Sequence, residues 1–243
     1  MSYKTVIIGA TSGIGREVAR ILWKEGATVG VAGRRTDRLR AFCEECGQRA
    51  SYATIDVTAS DAGDKLVELA ETVGGADMIL LCSGIGSQNP ELKPEIESDT
   101  VNTNVAGFTR MIDSAFNYFK GKGGGHIVAV TSIAGTKGLG IAAAYSATKR
   151  YQNTYIQCLA QLSAMQGYGI RFTDIRPGFV DTDLLKSGNF PLKMPVDYAA
   201  RKIVKAIKRR RRVAVIDWKY KIVTALWRMI PRYLWERLTI RNK

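Results

Sequence analysis

The residues with the clearest chemical capacity are Tyr145 and Lys149, in the stretch Tyr145-Ser-Ala-Thr-Lys149. On a helix, residues four apart share a face about one turn from each other. The spacing puts an ammonium within reach of a phenol. A phenol titrates near ~10, and a neighbouring cation favours its charged form. Such a pair can exchange a proton at neutral pH, which is general acid-base chemistry. Alone, the same spacing is met by a surface lysine lying over an aromatic ring. The case for chemistry depends on what the rest of the chain brings to the same place.

Two segments near the start could hold the other reactant. Lys4-Thr-Val-Ile-Ile8 predicts a short buried strand. It runs into Gly9-Ala-Thr11-Ser12-Gly13-Ile14-Gly15, and helical spacing follows from Arg16 to Trp23. Strand, glycine-rich turn and helix start make a phosphate cradle. The glycines allow close backbone approach, and the helix N-terminus offers free N–H groups to an anion. A second strand, residues 27–32, ends in Gly33-Arg34-Arg35. In a dinucleotide-binding unit this place faces the adenosine ribose. An acid there would bond the 2′-hydroxyl, whereas arginine suits a 2′-phosphate. Two arginines and no acid predict NADP(H), with Arg34 as the main contact and Arg35 as support. The alternative is that both are solvated turn residues.

Further strands are expected at 51–55, 77–82, 126–132, 169–175 and 213–216. Helices are expected at 39–46, 61–73, 95–120, 143–165 and 197–208. The alternation predicts an α/β fold: a Rossmann-type, doubly wound parallel sheet of about seven strands with helices on both faces. Ligands bind such sheets beyond the C-terminal strand ends. The glycine turn, Arg34, Asp56, Ser83-Gly84, Ser132 and the loop carrying Pro177, Gly178, Val180 and Thr182 all fall at that edge. Residues 1–216 are read as this domain and 217–243 as a basic amphipathic extension.

With these segments in place, the chain resembles the classical short-chain dehydrogenase/reductase (SDR) family over about residues 4–216. The resemblance rests on Gly9, Gly13 and Gly15, Asp56-Val57, Asn104-Val-Ala-Gly107, Ser132 upstream of Tyr145, the Tyr145/Lys149 pair, and Pro177-Gly178 with Thr182. It implies that Tyr145 protonates a carbonyl oxygen in reduction or takes the proton in oxidation. It also implies that Lys149 lowers the tyrosine pKa and holds the nicotinamide ribose, while Ser132 hydrogen-bonds the substrate oxygen. Asn104 would hold a water that links Lys149 to solvent; Asn102 is its competitor, and the spacing to Gly107 selects Asn104. Asp56 and Val57 would meet the adenine, and Thr182 the nicotinamide carboxamide. Homodimers or homotetramers are implied, with residues 95–120 and 143–165 at the interface. The sequence departs from the family after the fourth strand. There Leu81-Cys82-Ser83-Gly84 stands where Asn-Ala-Gly is usual, so a strand-tethering asparagine is lost. Cys82 is read as a small buried residue.

Composition narrows the remaining classes. The chain has 243 residues, 46% of them hydrophobic, enough for one large domain with a sizeable core. The four cysteines make no disulfide framework, and Cys43-Glu-Glu-Cys46 lacks a second ligand pair for a metal. His126, the single histidine, opens a strand and is read as structural. No apolar run is long enough to span a bilayer, and cysteines without a disulfide framework make a reduced, cytoplasmic location the expectation. The net charge of +14 is lopsided, because residues 201–243 carry 15 Lys/Arg against two acids. Lys208-Arg-Arg-Arg-Arg212 lacks the aromatic platform of a nucleic-acid surface, so no nucleic acid is expected. From Trp218 to Leu238, basic residues alternate with Trp, Leu and Ile, as in an interfacial helix. Packing against the core or a partner subunit and attachment to an anionic membrane both fit. A roof of Trp and Leu points to an apolar carbonyl substrate. Residues 184–195 are expected to form a lid, made mobile by Gly188 and Asn189.

Overall fold

The computed structural model describes residues 3–185, Phe190 and 192–240. Gly188 and Asn189, the expected hinge of the lid, lie outside the described residues. Seven parallel strands form one sheet in the order β3-β2-β1-β4-β5-β6-β7. They are β1 (Lys4–Ile8), β2 (Thr28–Gly33), β3 (Ala50–Thr54), β4 (Met78–Leu81), β5 (Gly125–Val130), β6 (Ile170–Arg176) and β7 (Val213–Val215). The order reverses between β1 and β4, which opens a crevice at their C-terminal ends. This is the doubly wound architecture expected from the alternation of elements.

Helices cover both faces. On one side lie α1 (Gly13–Lys24), α2 (Thr36–Cys46) and α7 (Val196–Lys208), which bury Val18, Phe42 and Ile203 against β1 and β2. On the other lie α3 (Ala62–Thr72), α5 (Phe108–Lys122) and α6 (Ala143–Gln166), which bury Leu66, Met111, Phe119 and Ile156. β1 and β4 are buried along almost their whole length. Such continuous apolar strands are what a sheet covered on both faces requires.

The expected single helix over 95–120 is interrupted. α4 (Pro94–Val101) passes into a π-helical turn, Asn102–Gly107, before α5 begins. A π turn closes i→i+5 bonds and inserts an extra residue into the helical register. The wide turn leaves Asn104 fully buried, while Asn102 is exposed. Beyond β7 come α8 (Trp218–Met229) and the single turn α9 (Arg232–Trp235), broken at Pro231 as the sequence expected.

Candidate active site

The glycine turn after β1 is built so that side chains cannot occupy it. Gly9 and Gly13 take positive φ, and a Cβ on Gly15 would collide with the Gly9 carbonyl. The first turn of α1 is thereby held open beside the crevice, fit for a phosphate. Thr182, from the loop after β6, packs close to Gly13 and connects the two ends of the cleft.

The two arginines after β2 go different ways. Arg35 turns back over the glycine turn, donating to Thr11 Oγ1 at 2.8 Å and Ser12 Oγ at 2.7 Å. Asp183 lies 3.8 Å from it. Arg34 lies near Asp56. Bonds from the Thr58 backbone and side chain chiefly hold the Asp56 carboxyl below its usual range, with a lesser effect of Arg34. Val57 packs against Gly107 and accepts from Arg110 at 2.8 Å.

Asn104, Ser132, Tyr145 and Lys149 come together beyond β4 and β5. Asn104 bonds the Ile85 backbone through both amide atoms, at 3.0 and 2.7 Å, and donates to Thr148 at 3.2 Å. It thereby pins the segment after β4, which the missing strand-end asparagine would otherwise have helped to tether. Ser132 lies two residues beyond β5 and accepts from Ala134 N at 3.0 Å. Its hydroxyl is near enough to the Tyr145 phenol to favour the charged form. Lys149 is 4% exposed, and its Nζ donates to Gln152 Oε1 at 3.0 Å and approaches Val130 O at 3.4 Å. The same Nζ lies 5.7 Å from the centre of the Tyr145 ring.

Burial decides the proton affinities. It pushes the Tyr145 phenol above its ordinary value, and Ser132 opposes that only in part. Burial likewise brings Lys149 down to about 8, partly offset by Cys82 and Asp174. The direction for the phenol is thus upward, opposite to the lowering by Lys149 that the resemblance implied. Cys82 is half-buried and close to Lys149; burial pushes its thiol up to about 11. Ser83 packs on Gly9, and Gly84 faces Asn104 and Lys149.

Two site residues escaped the sequence reading. Gln152 is fully buried and bridges Lys149 Nζ to the Asn104 carbonyl, to which it donates at 2.8 Å. Its place three residues after Lys149 on one helix face was the available signal. Gly86 lies flat against the Tyr145 ring, where any Cβ would clash; nothing in its loop marks it. Pro177 O holds Ile133 N at 3.0 Å, and Gly178 packs on the Tyr220 ring. Val180 is buried and bridges to Met194. His126 lies at the opposite end of β5, bonded to Thr173 at 2.8 Å, with burial bringing it down to about 4. Cys43 and Cys46 are free, and burial raises both thiols.

The model of the short chain dehydrogenase family matches residues 4–190. An uncharacterized oxidoreductase of Myxococcus xanthus is 32% identical over 97% of this chain and 96% of its own. Among solved structures, a short chain dehydrogenase from Burkholderia cenocepacia in complex with NADP superposes with a TM-score of 0.85. It covers 99% of this chain and 98% of its own at 20% identity, a likeness of fold. A 3-ketoacyl-(acyl-carrier-protein) reductase from Brucella melitensis complexed with NADH superposes with a TM-score of 0.78 at 26% identity, over 89% of this chain and 96% of its own. The chain belongs to the short-chain dehydrogenase family and is an oxidoreductase of that family. Among the described residues no helix is long and apolar enough to cross a membrane.

Proposed function

We propose that the protein is an NADPH-dependent reductase of an apolar aldehyde or ketone. The observation that carries this reading is Tyr145 placed beside Ser132 and Lys149, with Lys149 Nζ 5.7 Å from its ring centre, on a chain that also builds a glycine cradle. A phenol that carries its proton can serve as the donor in reduction. When bound, NADPH supplies the hydride. Gly9, Thr11, Ser12, Gly13, Ile14 and Gly15 would hold its diphosphate, and Arg34 and Arg35 its 2′-phosphate. Asp56 and Val57 would border the adenine, and Ser83, Gly84, Pro177, Gly178, Val180 and Thr182 the rest of the nucleotide.

Ser132 donates to the carbonyl oxygen and stabilises its growing negative charge. Tyr145 passes its proton to that oxygen. Lys149 would hold the nicotinamide ribose, and Asn104 with Gln152 fixes the lysine. Phe179 supports the apolar character of the substrate, with its ring 4.8 Å from Phe190 and 6.4 Å from Tyr220. Exposed Val101, Leu162 and Met165 on α4 and α6 fit a homo-oligomer contact there. Residues 217–243 act as a separate functional extension, and the whole works in the cytoplasm.

The test is loss of nicotinamide absorbance with a panel of aliphatic and aromatic carbonyls, comparing wild type with Tyr145→Phe. Full activity in the variant would overturn the assignment of the proton donor. No turnover of any carbonyl by a protein that binds NADPH would favour a non-catalytic sensor of the nucleotide.

A further inference from the structure

The fold separates the basic charge of the C-terminal end into two places. Residues 208–212 precede β7 and so lie at the N-terminal edge of the sheet, away from the cleft. There Lys208 pairs with Glu25 at 2.7 Å, and Arg212 donates to Ile156 O at 3.0 Å. α8 and α9 follow β7 and lie at the cleft edge, where α8 shows two unlike faces. Tyr220 and Thr224 are buried, and Trp227 packs on Trp235 at 5.3 Å. Outward point Trp218 (63% exposed), Ile222 (51%), Leu226 (56%) and Met229 (77%). At about 100° per residue these four fall within an arc of about 80°. Lys219 borders the arc on one side, and Lys221 and Arg228 border it on the other; all three are exposed. Past Pro231, exposed Tyr233, Leu234 and Leu238 continue the apolar surface, with Arg232 and Arg237 beside them.

We propose that this face docks the protein on an anionic phospholipid surface. An outward apolar stripe with cations along both margins is the arrangement of a helix lying in the bilayer interface. The helix has 12 residues, too few to span, so it would lie along the surface. A second copy of this chain fits the face poorly. A two-fold contact sets a patch against itself, which would bring Lys219, Lys221 and Arg228 of one copy against the same cations of the other. The acids of residues 217–240 cannot relieve that repulsion. Asp217 is held by Tyr198 at 2.7 Å and Lys219 N at 2.9 Å, and Glu236 by Arg232 at 2.6 Å. Anionic headgroups supply the missing charge, and acyl chains cover the stripe.

The docked face would also touch the substrate entrance. Trp235 Nε1 donates to Gly138 O at 2.6 Å, and Lys137 Nζ to Ile230 O at 2.8 Å. Tyr220 Oη accepts from Phe179 N at 3.1 Å and donates to Leu192 O at 3.0 Å. Both loops that flank Tyr145 are thus tied to the helices whose outer side meets lipid.

The test is flotation of the full chain with phosphatidylcholine–phosphatidylglycerol vesicles and with phosphatidylcholine alone. The wild type is expected to float with the anionic vesicles and to bind neutral ones at least about tenfold more weakly. Ile222→Glu with Leu226→Glu, at exposed positions, should lose about tenfold or more in vesicle affinity with its melting temperature and NADPH binding unchanged. Lys219→Glu with Arg228→Glu should weaken anionic binding and leave neutral binding as it was. The proposal is overturned if wild type stays with the unbound fraction, or if the Ile222/Leu226 variant floats as well as wild type. It is equally overturned if wild type is a dimer in gel filtration that this variant dissociates, which would make the face a self-interface. None of these readouts uses turnover, so failure of the reductase reading would leave them standing.

Discussion

The floor of the cleft and its roof are held by different physics. On the floor, Asn104, Lys149 and Gln152 are buried polar groups, each satisfied by several partners on separate elements. Removing one partner would leave another unsatisfied in a dry site, which costs more than the bond itself contributes. The roof is tied to the body by a few bonds from Tyr220, Trp235 and Lys137, and otherwise turns apolar side chains outward. The floor is fixed in one geometry, while the roof is attached at points and can exchange what it contacts. Substitutions in the floor should therefore strike kcat, and those in the roof KM and stability.

The sharpest break of this contrast is Tyr145→Phe. It should lower kcat by roughly 10²–10⁴-fold with no loss of thermal stability, read by steady-state kinetics and calorimetry. An equal fall in melting temperature would make the phenol structural. Arg35→Ala removes three bonds to the glycine turn and a cation for the 2′-phosphate. It should weaken NADPH by about 10–100-fold and leave NADH nearly unchanged. Arg34→Ala measured beside it apportions the site between the two.

The third test is a pH profile. Lys149 carries its charge below about 8 and loses it as pH rises through that value, so kcat for reduction should fall along that alkaline limb. Gln152→Ala removes an acceptor from the ammonium. That disfavours the charged form, so the limb should move to lower pH. A merely structural Gln152 would change stability without moving the limb. The smallest effect is expected at Tyr220→Phe, which should cost about 1–2 kcal/mol of stability and raise KM with kcat kept. A fall in kcat alone would tie the roof to the chemistry.

The sequence carried the fold well because strands and helices alternate regularly and glycines stand at many of the turns between them. The Gly9/Gly13/Gly15 turn and the spacing of Tyr145 and Lys149 are local patterns, readable without tertiary knowledge. What escaped depends on contacts between distant segments. Gln152 looks like an ordinary helix-surface residue until α6 is laid on the Asn102–Gly107 turn. Gly86 matters only because the Tyr145 ring lies on it. Arg34 and Arg35 are neighbours in the chain, and composition cannot say which turns back to the glycines. The spacing of Tyr145 and Lys149 along a helix says nothing about the desolvation that raises the phenol's proton affinity.

The π turn at Asn102–Gly107 makes the chain between β4 and β5 intolerant of a change in length. Deleting one residue there would restore regular helix and turn everything beyond it by about 100°. Asn104 would leave the cleft, and Met111 and Phe119 would leave the sheet. The register that aims the lysine's anchor is thus the same register that packs α5.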